Sequence, residues 1–223
     1  MNWSQFFTSA VGKKITMALS GIFLVLFLII HAGLNACIWA NDEGEMFNAG
    51  AHFMGNTVVP RVLEIGLFVF FIIHIVQGLV LTFQNRSKRS VGYAVKMGNT
   101  GSKWYSRSMG LLGSIILIFL VVHLSHFWFP NRAHQGFVLG EEINLYEKMK
   151  EVFSSGIFVV IYELGVIALF WHLLHGFQSA FRTLGLTNHK YIGIIRATGV
   201  AYSVIICLAF FLMPLSFYFG WLA

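Results

Sequence analysis

The chain has 223 residues, 57% of them hydrophobic and 11% charged, with a formal net charge of +6. A mean hydropathy of +0.73 at that charge density excludes a soluble globular domain. With 23 Phe, 3 Pro and no ten-residue segments of alternating polarity, the sequence suits long helices and not a membrane β-barrel.

Five apolar stretches, at roughly 15–40, 61–84, 108–129, 157–181 and 193–219, are each long enough to cross about 30 Å of hydrocarbon as helix. The first follows Lys13 and Lys14, is too long for a signal-peptide core and has no small-residue cleavage site after it, so it reads as a retained spanning helix. It contains His31, Cys37 and Trp39. The first connection carries Asp42, Glu43, Glu45 and His52 and ends at Pro60. The second stretch holds Glu64, His74 and Gly78 and leads into Arg86, Lys88, Arg89, Lys96, Lys103 and Arg107.

The third stretch holds His123 and His126 and stops at Pro130. The connection after it, with Glu141, Glu142, Glu147 and Glu151, is long enough for a short surface helix around Ile143 to Phe153, where the glutamates can pair with neighbouring lysines. The fourth stretch contains Glu163, His172, His175 and Gly176; Arg182, Lys190 and Arg196 follow it. The fifth holds Cys207 and Pro214. Cys37 and Cys207 have no CxxC spacing and read as buried small hydrophobes, neither a disulfide framework nor a zinc site. The C-x-x-C-H needed to attach a c-type haem is absent.

Charge alternates between the connections. The N-terminal segment and the second and fourth connections hold 11 of the 15 Lys and Arg and none of the nine acids. By the positive-inside rule the N-terminus is cytoplasmic and the C-terminus outside. The expected fold is therefore an all-α integral membrane five-helix bundle, one domain over 1–223, crossing the membrane five times. The net positive charge is then accounted for by topology and membrane lipid and needs no nucleic acid.

Histidine in hydrocarbon is costly and marks a functional site. Counted at 1.5 Å per residue from the nearest basic residue at the cytoplasmic end, His31 lies about 25 Å deep and His123 about 24 Å, against about 18 Å for His74 and about 15 Å for His172. Two histidines at one level on facing helices are what a b-type haem takes as axial ligands. The depths pair His31 with His123 for an outer haem and His74 with His172 for an inner one, two haem b in all. His126 and His175 are the competing ligands, and as neighbours they could instead bond haem propionates or a quinone. Gly78 and Gly176 each sit one turn after an inner histidine, where a missing side chain lets a flat macrocycle approach. Near the outer face, Glu64, His52 and Trp39 are candidates for a quinone site.

The segments FLIIHAGLN around His31, FNAGAHFMG around His52, RVLEIGLFVFFIIHIVQG leading to His74, IFLVVHLSH around His123 and YELGVIALFWHLLHG around His172 keep one order and spacing along the chain. In this the sequence resembles the dihaem cytochrome b subunit of succinate:quinone oxidoreductase and fumarate reductase, the b558-type membrane anchor of complex II. The resemblance implies that His31, His74, His123 and His172 are the axial ligands. It also implies that a flavoprotein (FAD) subunit and an iron–sulfur subunit dock on the cytoplasmic side, and that the chain passes electrons between the iron–sulfur subunit and a membrane quinone, usually menaquinone. Succinate chemistry then belongs to the flavoprotein, so the chain works as part of an enzyme complex. Some dihaem relatives carry a glutamate two residues before the fourth ligand; Phe170 stands there in this chain. The alternative assignment is the cytochrome b subunit of another membrane oxidoreductase, such as a hydrogenase or formate dehydrogenase. A haem-free transporter is disfavoured because the helices lack mid-membrane Gly/Pro breaks.

Overall fold

The computed structural model describes residues 9–87, 103–135, 142–186 and 188–222. Among them there is helix and no strand. The first spanning helix, α1 (Ala10–Ala36), begins where the Ser9 hydroxyl accepts the Gly12 N–H at 2.9 Å, five residues earlier than the hydropathy suggested, and runs into a 3-10 turn, Cys37–Ala40. The second spanning helix is α3 (Val58–Ser87). The third is composite: α5 (Met109–His123), a π-helical segment Leu124–Trp128 and α6 (Phe129–His134). The fourth and fifth are α8 (Gly156–Thr183) and α9 (Ile192–Tyr218). All five are long and apolar enough to cross a membrane, and the chain is a multi-pass membrane protein.

Three short helices complete the description. The surface helix expected in the third connection is α7 (Leu145–Phe153), capped by the Asn144 side chain on the Glu147 N–H, with Glu147–Lys150 and Glu151–Lys148 pairs along it. Helix α4 (Trp104–Arg107) precedes α5. The first connection, for which no helix was expected from sequence, forms α2 (Glu45–Asn56), started by the Asp42 carboxylate accepting the Gly44 and Met46 N–H groups. Pro130 does not end the third helix. The Phe129 N–H bonds back five residues to Leu124, and this widened turn absorbs the donor that a proline lacks.

The histidine-bearing helices α1, α3, α5 and α8 form a four-helix group, and α9 packs outside against α8 and α1. Lipid offers no hydrophobic drive for association, so close packing and polar contacts hold these helices together. Gly165 lets the Phe119 ring lie directly on α8, Gly199 does the same for Phe177 on α9, and the Tyr202 hydroxyl donates to the Val25 carbonyl at 2.8 Å. The two ends differ. Lys13, Lys14, Lys103, Arg107, Arg182, Lys190 and Arg196 mark a basic end; Lys88, Arg89 and Lys96 lie outside the described residues. At the opposite, acidic end α2 and α7 cover the bundle. There Ile38, Phe47, Tyr146, Met149 and Phe153 are buried together with Tyr162 and Met213. Glu141 lies outside the described residues.

The cap turns on Gly44, whose φ of +85° favours glycine, and a Cβ there would stand 2.2 Å from the Tyr146 ring. Tyr146 itself is 1% exposed. Gly44→Val should therefore destabilise the protein by about 1–3 kcal/mol, with release of the α2–α7 cap; thermal unfolding followed by tyrosine fluorescence checks this.

Candidate functional site

The helices bring the four spanning histidines together in the pairs that depth suggests. The His31 and His123 ring centres lie 5.7 Å apart, nearly perpendicular at 88°. Those of His74 and His172 lie 6.0 Å apart at 65°. The competing histidines have other partners: His126 Nδ1 lies 3.1 Å from the Tyr162 hydroxyl, and His175 faces Tyr105, ring centres 6.5 Å apart.

The vertical spacing differs from the count made from sequence. A Cβ on Gly21 of α1 would lie 3.5 Å from His74 Cε1, and one on Gly113 of α5 would lie 3.9 Å from His172 Cε1, so both glycines stand at the level of the His74–His172 pair. Ten residues separate Gly21 from His31 and Gly113 from His123, which sets the two levels about 15 Å apart. Counting from basic residues gave only about half of that. Lys13 reaches the Gln84 side chain at 3.5 Å, so Arg86 lies beyond the level of Lys14, and the count along α3 began too far out.

The glycines that face the His74–His172 pair are thus Gly21 and Gly113, which sequence reasoning missed. A Cβ on Gly78 would lie 3.5 Å from the Met17 methyl, and one on Gly176 would meet nothing within 4 Å among the described residues. A register argument could have found Gly21 and Gly113, because they hold on α1 and α5 the level that the histidines hold on α3 and α8.

The residues fit a bis-imidazole group. A metal about 2 Å from one nitrogen of each of two imidazoles sets the ring centres about 6 Å apart, close to both observed separations. Among the described residues His123 Nδ1 and His172 Nδ1 are buried with no hydrogen-bond partner, an arrangement that costs free energy unless something else supplies the partner. Ser20 donates its hydroxyl proton to the Met17 carbonyl and lies 3.3 Å from His74 Nδ1, where it can accept the ring N–H and leave Nε2 as the donor to a metal. No three His, Cys, Asp or Glu side chains gather among the described residues, so each pair offers two ligands only, suited to the axial positions of a planar macrocycle. Phe27 stacks on His31 and Phe119 on His123, each one turn earlier on the same helix, which fixes the ring directions.

The three quinone candidates are held separately. His52 on α2 is exposed, and Trp39 Nε1 donates to the Ser216 hydroxyl at 2.9 Å. Glu64 is the centre of a polar cluster: Trp128 Nε1 donates to it at 2.5 Å, Arg61 at 2.7 Å, and Arg132 through Nη2 at 2.8 Å and Nε at 3.1 Å. Arg132, 6% exposed, also donates to the Gly55 carbonyl and the Gln135 side chain. This cluster ties the turn after His123 to the acidic end of α3, and nothing in the spacing of its members announces it. Both carboxylate oxygens of Glu163 are buried without a hydrogen-bond partner among the described residues.

Four spanning helices around two stacked histidine pairs, with a fifth packed outside them, suit a membrane b-type cytochrome. The chain is 30% identical over 168 residues, 75% of its length and 74% of the relative's, to the succinate dehydrogenase cytochrome b558 subunit of Bacillus subtilis (strain 168). It belongs to the succinate dehydrogenase cytochrome b558 subunit family. No family model and no solved structure matches the chain.

Removing the central carboxylate would strand the Arg132 guanidinium. Glu64→Ala should cost about 3 kcal/mol, the scale for breaking a buried ion pair, and Glu64→Gln, which keeps an acceptor for Trp128, should cost less. Denaturation midpoints of the detergent-solubilised variants check the order.

Proposed function

We propose that this chain is the membrane-anchor subunit of a succinate dehydrogenase or fumarate reductase, carrying two haem b and passing electrons between an iron–sulfur subunit and membrane quinone, with menaquinone as the quinone. The observation that carries the reading is the pairing of four intramembrane histidines at two levels in a member of the cytochrome b558 family. Membership in that family does not favour the hydrogenase or formate dehydrogenase alternative.

His31 and His123 would hold the outer haem, His74 and His172 the inner one. Haem b supplies one-electron redox chemistry when bound. The chain's own contribution is to fix four imidazoles, keep water from the outer pair with the α2–α7 cap, and leave slots beside His74 and His172 at Gly21 and Gly113. Ser20 holds the His74 tautomer, and hydrogen bonding of this kind raises ligand basicity.

The N-terminus and the basic end are cytoplasmic on this reading, supported by the segregation of Lys and Arg, and the C-terminus is outside. The flavoprotein (FAD) and iron–sulfur subunits would then dock on the basic face of a bacterial inner membrane, with 1–223 acting as one domain. Of the quinone candidates, Glu64 is supported by its place beside the outer pair's helix and is held by three donors; Trp39 and His52 are supported by their position at the same end.

His74→Ala or His172→Ala should halve the haem content of the purified complex, measured as pyridine haemochrome; a full complement in either variant contradicts the inner pairing. His31→Ala should keep the inner haem's spectrum yet abolish succinate-driven quinone reduction, and normal turnover would contradict the role of the outer pair.

A further inference from the structure

A cavity of about 280 Å³ opens at the basic end between α1 and α8, lined by Val11, Lys14, Ile15, Arg182 and Thr183. Arg182 also borders a much smaller crevice that includes Arg196 of α9, so cationic side chains from three helices converge on the last turn of α8. Among the described residues Lys14, Arg182 and Arg196 have no carboxylate partner; the ion pairs all involve Glu64 or the glutamates of α7. Among the described residues the acids lie towards the other end. Three like charges gathered at a membrane surface repel one another, and the arrangement calls for an anion from outside the chain.

Two further features define that anion. The first turn of α1 borders the cavity at Val11, so the positive end of a 27-residue helix adds to the field of the side chains. Val11 and Ile15 give the cavity an aliphatic wall running in the direction of the hydrocarbon. A free phosphate would satisfy the cations and leave that wall bare, whereas a phospholipid satisfies both. Lys13, one residue away, is turned to Gln84 on α3 and takes no part.

We propose that this cavity binds an anionic phospholipid, its phosphate held by Lys14 and Arg182 with Arg196 behind them, and an acyl chain lying along Val11 and Ile15. Basic pockets between spanning helices at the positively charged face are suited to such headgroups.

The test uses the whole complex purified from its own membrane, washed in neutral detergent, with retained lipid counted by mass spectrometry. The wild type should keep about one anionic phospholipid per chain, and Lys14→Gln/Arg182→Gln should keep at least tenfold less at unchanged haem and subunit ratios. Lys13→Gln should match the wild type. Phosphatidylglycerol added back should raise the unfolding temperature of the wild type and not that of the double variant, while phosphatidylcholine and inorganic phosphate should raise neither. Equal lipid retention in the double variant overturns the proposal. So does equal stabilisation by inorganic phosphate, which would make this a free-anion site. Loss of the soluble subunits with lipid retained would make it a protein-docking surface and overturn the proposal too. If the double variant does not assemble, Arg182→Gln alone is read by the same criteria.

Discussion

An imidazole in the middle of a membrane needs a partner for its ring nitrogens, and that requirement organises this protein. Hydrocarbon supplies no hydrogen bonds, so His31, His74, His123 and His172 must be met by something within the bundle. They are met in pairs, one level about 15 Å from the other. Around the His74–His172 pair, the two helices of the four-helix group that carry no histidine at that level carry glycine instead. The four-helix group is thus arranged about its histidines, and α9, which has none, packs outside and closes the α1–α8 side.

The two ends of the bundle are built for different tasks. At the acidic end α2 and α7 bury Tyr146, Phe47 and Phe153 over the His31–His123 pair, where water drives apolar burial and each large side chain contributes about 1.5–3 kcal/mol. The Glu64–Trp128–Arg132 cluster locks the same end with charged hydrogen bonds, and the π-helical turn after His123 carries Trp128 to Glu64. Such turns recur at functional sites because they redirect side chains without ending the helix. The basic end has no comparable cover among the described residues. Its cations Lys14, Lys103, Arg107, Arg182, Lys190 and Arg196 are exposed.

Much of this was legible in the sequence because hydrocarbon is a severe solvent. Length and hydropathy gave five spans to within a few residues, and the helical rise was enough to sort His31 with His123 and His74 with His172. What the sequence hid follows from the same physics. The spacing between levels was too small because depth was counted from charged residues that do not share a plane, as the Lys13–Gln84 contact reveals. Helix α2 was missed because its start rests on Asp42 and on three residues with positive φ, Asn41, Glu43 and Gly44, and not on a hydrophobic run. Pro130 looked like a helix end because the compensating π turn depends on tertiary fit. Gly78 and Gly176 were singled out by proximity along their own helices; Gly21 and Gly113, which face the rings from neighbouring helices, emerge only from the packing.

The most direct test of the central claim is the haem stoichiometry of the unmodified complex: pyridine haemochrome quantified against chain concentration, with a dithionite-reduced minus oxidised spectrum. Two haem b per chain is the predicted result. One haem per chain would mean that one histidine pair has another purpose, and none in a folded preparation would contradict the account outright.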